Sequence, residues 1–337
     1  MSTWRRAAIT AGAIGAAAGV AVAGNRIAAS RLRSRPDADS ADDLEIHPER
    51  THHLPAHDGG AIHVIEAGSG PPILLSHGVT LSVRTWSKQF QQLPARGFRV
   101  IAFDHRGHGG SSVGSSGHGV EQLAHDVRSV LEGLDLRDVV LVGHSMGGIA
   151  IQSFCIRHPD LARERVAGIV LLSSLARSPL GANPRVTRML TQIVNRLPDG
   201  AAALRAKDLG LVVARIGFGR DPEPAQVELT RQMMLATSRE TRRDAVVALA
   251  GLDFTDRLDR IDRPTLVIGG TADVIAPIAE SRRMARCIPG ARLEEIAGGG
   301  HMLMLERAAV IDDLVADFAA EVQESGSVQG VHDRSTG

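Results

Sequence analysis

The sequence predicts an α/β fold: a mostly parallel central sheet, helices on both faces, and a helical cap inserted into it. Three observations lead there. Short β-branched runs alternate with amphipathic helical stretches from His52 to about Val322. That rhythm stops between Ser173 and Leu258, where apolar stretches broken by Pro179, Pro184, Pro198, Pro222 and Pro224 take over. The residues able to do chemistry fall just after the predicted strands, at the carboxyl edge where such sheets build their sites. These breaks divide the chain into an N-terminal segment 1–35, a linker 36–51, a core 52–173, a helical cap 174–257, a second core part 258–322 and a disordered tail 323–337.

The first segment differs in character. Arg5 and Arg6 precede an uncharged run from Ala7 to Gly24, and Arg26, Arg31, Arg33 and Arg35 follow it. As a helix the run spans about 27 Å, close to a bilayer's hydrocarbon thickness. Three readings stand. A single-span anchor is preferred, which implies membrane association through residues 7–24 and, from the arginines behind the run, an enzyme on the cytoplasmic side. An export signal is second, because Ala21-Val22-Ala23 offers a cleavage site. A surface helix of a soluble cytoplasmic protein is third.

Beyond the polar linker, strands are expected at 62–66 and 73–76, with Asp58-Gly59-Gly60 as a turn ahead of the first. A helix over 86–96 and a strand over 99–103 follow. Apolar residues at helical spacing (Leu123, Val127, Val130, Leu131) predict a helix over 119–134. The strand 139–142 leads into a helix over 145–158. Strands 169–172, 265–268 and 293–296 and a closing helix over 308–322 complete the core. In the insertion, Met189, Leu190, Ile193, Val194, Leu211, Val212, Val213, Ile216, Met233, Met234 and Leu235 supply apolar faces, and the clustered methionines suit a lid with an acyl pocket.

Gly143-His144-Ser145-Met146-Gly147 joins a β-branched strand to a helix. A sharp turn there throws Ser145 outward and needs small neighbours, hence Gly143 and Gly147. The helix then starts at the serine, so its positive end faces the reaction centre and the Met146 N–H is free for a developing oxyanion. His144 reads as packing around this turn.

With the next residue, Gly-His-Ser-Met-Gly-Gly resembles the nucleophile turn of the α/β-hydrolase fold superfamily, and the resemblance runs from about His52 to Val322. It implies a serine hydrolase of esterase or lipase type. It further implies that Ser76-His77-Gly78-Val79 supplies the second oxyanion donor from the Val79 backbone. Asp104-His105-Arg106-Gly107-His108-Gly109-Gly110-Ser111 is similar to the family's D-x-R-G-x-G-x-S turn. Asp104 and Arg106 are thereby expected to support the site with His77 and Gly78. Asp273 follows one strand and His301 the last, so the serine, acid and base stand in the order this fold uses. Ser145 is weak without an imidazole to take its proton, and the imidazole needs a carboxylate to fix its tautomer. Asp253 and Asp256 are the rival acids.

Composition narrows the functions. Of 337 residues 43% are hydrophobic, enough for a large core with an insertion. Basic and acidic residues balance at 38 each, which gives no electrostatic footprint for nucleic acid. Aromatic residues make up 3%, with no tyrosine, against carbohydrate-stacking platforms. Cys155 and Cys287 read as free thiols. No metal cluster has credible spacing, and no cofactor is expected. The expected reaction is hydrolysis of carboxylic esters, of hydrophobic or lipid-like substrates, through an acyl-Ser145 intermediate. Lactonase, C–C bond hydrolase and cofactor-free perhydrolase or haloperoxidase activity use the same triad and stay open, as does a non-catalytic ligand-binding protein on this fold. Oligomeric state is left open.

Overall fold

The protein is described by a computed structural model that covers residues 24–178 and 201–334. Among these residues eight strands form one sheet: β1 (Arg50–Pro55), β2 (Ala61–Ala67), β3 (Pro72–Ser76), β4 (Arg99–Phe103), β5 (Val139–His144), β6 (Val166–Leu172), β7 (Thr265–Gly270) and β8 (Arg292–Ile296). Their order is β1-β2-β4-β3-β5-β6-β7-β8, antiparallel at the β1-β2-β4 edge and parallel from β4 onward. The centre of the parallel part is apolar on both faces because helices cover both. Along β5, Val140 and Val142 join the cluster of Trp86, Leu303 and Phe318 on one face, while Val139 and Leu141 join Leu123, Val127 and Phe154 on the other.

The seven strands expected from the sequence are present, and β1 is added. Its sequence, Arg-Thr-His-His-Leu-Pro, lies at the sheet's edge and buries little, so it carries no apolar alternation to read. Asp58 and Gly59 turn it into β2, with Gly59 at φ +84°. Between β6 and β7 the described chain is helical, at Ala201–Arg205, Lys207–Arg215, Pro224–Ala236 and Arg239–Ala250. Met189, Leu190, Ile193, Val194, Pro179, Pro184 and Pro198 lie outside the described residues.

The membrane-anchor placement requires correction. Most of the apolar run, residues 7–23, lies outside the described residues, and among the described residues no helix is long and apolar enough to cross a membrane. The part that is described lies against protein. Residues 24–33 are helical, and Ala29 and Leu32 are buried in the same cluster as Leu211 and Ala214 of the insertion. Arg33 and Arg35, expected as charges flanking a span, pair with Asp208 at 2.8 Å and Asp221 at 3.0 Å.

The stretch expected as a linker is also docked. The Ala225 N–H donates to Asp37 at 2.9 Å, Asp39 pairs with Lys88 and accepts from Gln226, and Leu44 is buried. Polar residues carry these contacts, which is why the segment looks solvated in sequence. The stretch expected to be disordered from 323 is helical to Arg334, continuing the helix Ala308–Arg334, and Gln323 anchors its root on the Pro72 and Asp138 carbonyls. Cys155 is buried and Cys287 half-buried, both free.

Candidate active site

The site lies at the carboxyl edge of β3, β5 and β7. Ser145 follows β5 and caps the helix Met146–Arg157 at φ +51°, a conformation that costs a non-glycine residue of the order of 1–3 kcal/mol. The surroundings hold it there. Its N–H donates to the Leu172 carbonyl at 3.0 Å, and its own carbonyl accepts from Ile149 N–H at 3.2 Å and Ser174 Oγ at 2.9 Å. A Cβ on Gly147 would run into the Ser76 carbonyl, so only glycine lets β3 and this helix meet. Met146, as the first helical residue, has an N–H with no partner inside the helix.

Asp273 and His301 stand on adjacent loops after β7 and β8. His301 Nδ1 lies 2.8 Å from Asp273 Oδ2, while Asp273 Oδ1 accepts the N–H groups of Ile275 and Ala276, each at 2.8 Å. A carboxylate so supplied with donors is fixed in direction, and it sets the Nδ1–H tautomer of His301. Ser145 and His301 line one cavity of about 290 Å3 together with Gly78 and Val79. Asp253 and Asp256 are outside it, and Asp253 is engaged by the Thr255 N–H instead.

The expected supporting residues are buried and paired. His77 donates from Nδ1 to the Gly78 carbonyl at 2.7 Å and accepts the His105 N–H on Nε2 at 2.9 Å. Burial, followed by the neighbouring His105 and His108, pushes its pKa well below the ordinary value, so it is neutral. Asp104 accepts from Val83 N–H at 2.8 Å, Gly110 N–H at 2.9 Å and His63 at 2.8 Å, tying the turn after β4 to the loop after β3. Arg106 makes two 2.7 Å bonds to Asp126 and a third, at 3.0 Å, to Asp58.

Val213 and Ile216, expected on the apolar faces of the insertion, line the cavity. Ala214 and Thr230 of the insertion, with Ile275 and Met302, line it too and escaped the sequence reading. Met234 lines it as well, whereas Met233 points into the core cluster. The insertion is joined to the histidine loop by main chain: His301 and Met302 N–H both donate to the Gly217 carbonyl, at 2.8 and 3.1 Å. Glu306 reinforces the joint by accepting from Gly219, Gly300 and Met302 N–H groups. Helical periodicity in the insertion was legible, but not which face meets the cavity.

Comparison with known proteins agrees with this architecture. The profile of the alpha/beta hydrolase fold matches residues 71–308. A non-heme haloperoxidase from Rhodococcus erythropolis is 32% identical over 269 residues, 78% of this chain and 97% of that protein. A bifunctional esterase/perhydrolase from Acinetobacter calcoaceticus is 30% identical over 254 residues, 73% of this chain and 91% of its own. Among solved structures, an esterase from Exiguobacterium antarcticum superposes with a TM-score of 0.71 at 24% identity, covering 80% of this chain and 100% of that one, a likeness of fold. The chain belongs to the alpha/beta hydrolase fold family.

Proposed function

We propose that the protein is a serine hydrolase that cleaves carboxylic esters of short acyl chain. The observation that carries the reading is the 2.8 Å pair of His301 Nδ1 with Asp273, set on the same cavity as a strained, outward-facing Ser145. Ser145 Oγ attacks the ester carbonyl as His301 Nε2 takes its proton. Asp273 stabilises the imidazolium, and the Val79 and Met146 N–H groups receive the oxyanion. The imidazolium protonates the departing alkoxide, and water then releases the acid from acyl-Ser145 with His301 as base again.

A cavity of about 290 Å3 supports a short acyl group in place of the lipid-like chain expected from the apolar insertion and the anchor, since small-ligand pockets begin near this size. A second reading is perhydrolysis, supported by the relatives named haloperoxidase and esterase/perhydrolase. Hydrogen peroxide replaces water against acyl-Ser145, giving a peracid and the free serine.

The test is labelling by a fluorophosphonate and turnover of 4-nitrophenyl acetate, each compared with Ser145→Ala. Loss of both in a folded variant is expected, and unchanged turnover would remove the assignment. Peracid formed on adding hydrogen peroxide to the same assay separates the second reading from the first.

A further inference from the structure

The loop that carries Val79 is held by a side chain outside the serine, acid and base. Thr80 sits at φ +61°, left-handed for a residue with a β-branched side chain. Its N–H donates to His108 Nε2 at 3.1 Å. On the other side of the ring, His108 Nδ1 lies 3.0 Å from the Arg106 carbonyl. A carbonyl only accepts and an N–H only donates, so both neighbours demand the same neutral tautomer, with the proton on Nδ1 and a lone pair on Nε2. His108 is 1% exposed, and burial lowers its pKa to about 4, which keeps that lone pair available at neutral pH. Arg106 is itself immobilised by Asp126 and Asp58. A buried chain of bonds therefore runs from the turn after β4 to the residue next to Val79.

We infer that His108 is a positioning residue for the oxyanion hole: by accepting the Thr80 N–H it holds the left-handed bend that presents the Val79 N–H to the cavity beside Ser145. The inference rests on the serine-hydrolase reading of the site. It gives a reason for a histidine at this place in the turn, where the side chain reaches no substrate. It also explains how a strained threonine persists at the cavity wall, since a left-handed bend is unfavourable for a β-branched residue unless its surroundings hold it.

Two variants separate positioning from general support. His108→Asn keeps a donor toward the Arg106 carbonyl but loses the acceptor toward Thr80. His108→Gln places an amide oxygen near the Nε2 position and restores it. For a short 4-nitrophenyl ester, His108→Asn should lower kcat roughly 10- to 100-fold with KM within about twofold, a fraction of what losing an oxyanion donor outright costs. Affinity for a trifluoromethyl ketone, which forms a tetrahedral adduct on Ser145, should fall by a similar factor, while affinity for the matching methyl ketone stays put. His108→Gln should recover most of both losses. An unchanged kcat in His108→Asn overturns the inference. So does a loss that tracks the unfolding midpoint, affects both ketones equally and is not rescued by glutamine. If Ser145→Ala turns over as fast as wild type, the reading of the site fails and the inference falls with it. Turnover that depends on Ser145 but ignores His108→Asn removes the positioning role alone.

Discussion

His144 holds His301 by its main chain: Nε2 of the one donates to the carbonyl oxygen of the other at 2.9 Å. The bond ties the turn after β5, which carries Ser145, to the loop after β8, which carries the histidine. Burial, then the nearby His301, drives the His144 pKa well below its ordinary value, so the ring stays neutral with its proton on Nε2. His144→Phe would leave the His301 carbonyl buried and unpaired. We expect a loss of about 1–3 kcal/mol of stability and a fall in kcat of about tenfold, with His144→Gln retaining more of each. Urea unfolding and steady-state kinetics read the two effects. A folded phenylalanine variant with full kcat would show that the bond does not position the base.

Much of this arrangement was legible from residues alone. Gly143, Ser145 and Gly147 announce their turn because steric demand there leaves few alternatives, and Asp273 and His301 follow strands with clear β-branched patterns. His144 reads as packing and His108 as one more residue of its turn, because the decisive partners, the His301 carbonyl and the Thr80 N–H, are main-chain groups distant in sequence. Thr80 gave no warning, since nothing in a threonine signals a left-handed backbone. The N-terminal run misled for a related reason. Arginines that follow an apolar run read as charges flanking a span, whereas Arg33 and Arg35 pair with Asp208 and Asp221 of the insertion, partners too distant in sequence to be read from it.

On the proposed mechanism, Asp273→Asn should leave Ser145 in place and remove the charge beside His301 that would stabilise the imidazolium. By the logic of such triads the loss in kcat is roughly 10⁴-fold. Asp253→Asn and Asp256→Asn should stay within a few-fold of wild type, because His301 Nδ1 is paired with Asp273 and Asp253 is engaged by the Thr255 N–H. A large effect from either, with Asp273→Asn mild, would move the acid elsewhere.

Truncation to begin at residue 36 should weaken the insertion. The cut removes buried Ala29 and Leu32 and the partners of Asp208 and Asp221. Burying a leucine contributes about 1.5–3 kcal/mol, and the exposed ion pairs add little. A lower Tm with a preserved triad is expected, read by thermal unfolding and fluorophosphonate labelling. An unchanged Tm would show that the 24–33 helix does not brace the insertion.

Asp312 offers a pH test. Burial raises its carboxyl pKa from 3.8 to about 6, against a hydrogen bond from Gln89 at 2.7 Å that favours the ionised form. A carboxyl raised in the folded state binds its proton more tightly there than when unfolded. Its contribution to stability is therefore full below about 3.8 and is lost as pH rises through about 6. Asp312→Asn keeps the shape and accepts the same bond from Gln89 without ionising. It should stabilise the protein at pH 8 by up to about 3 kcal/mol and have little effect at pH 4. Urea midpoints at the two pH values measure the difference, and an equal effect at both would exclude ionisation as the cause.

The acyl pocket gives the sharpest test of substrate. Met234 lines the cavity beside Thr230 and Val213, whereas Met233 is buried in the core. Each methylene that enters should improve kcat/KM by up to about 0.8 kcal/mol, or roughly fourfold. A cavity of about 290 Å3 should fill early, so the rise from acetate should level off at butyrate or hexanoate. Met234→Ala enlarges the wall and should move the plateau toward longer chains. Met234→Glu places a charge against the chain and should hurt hexanoate far more than acetate. Met233→Glu should instead destabilise the fold, because its carboxylate would be buried without a partner. The measurement is kcat/KM against acyl length for wild type and the Met234 variants. A steady climb to decanoate would restore a lipid-like substrate, and a flat profile from acetate to hexanoate would mean that the acyl chain does not occupy this cavity.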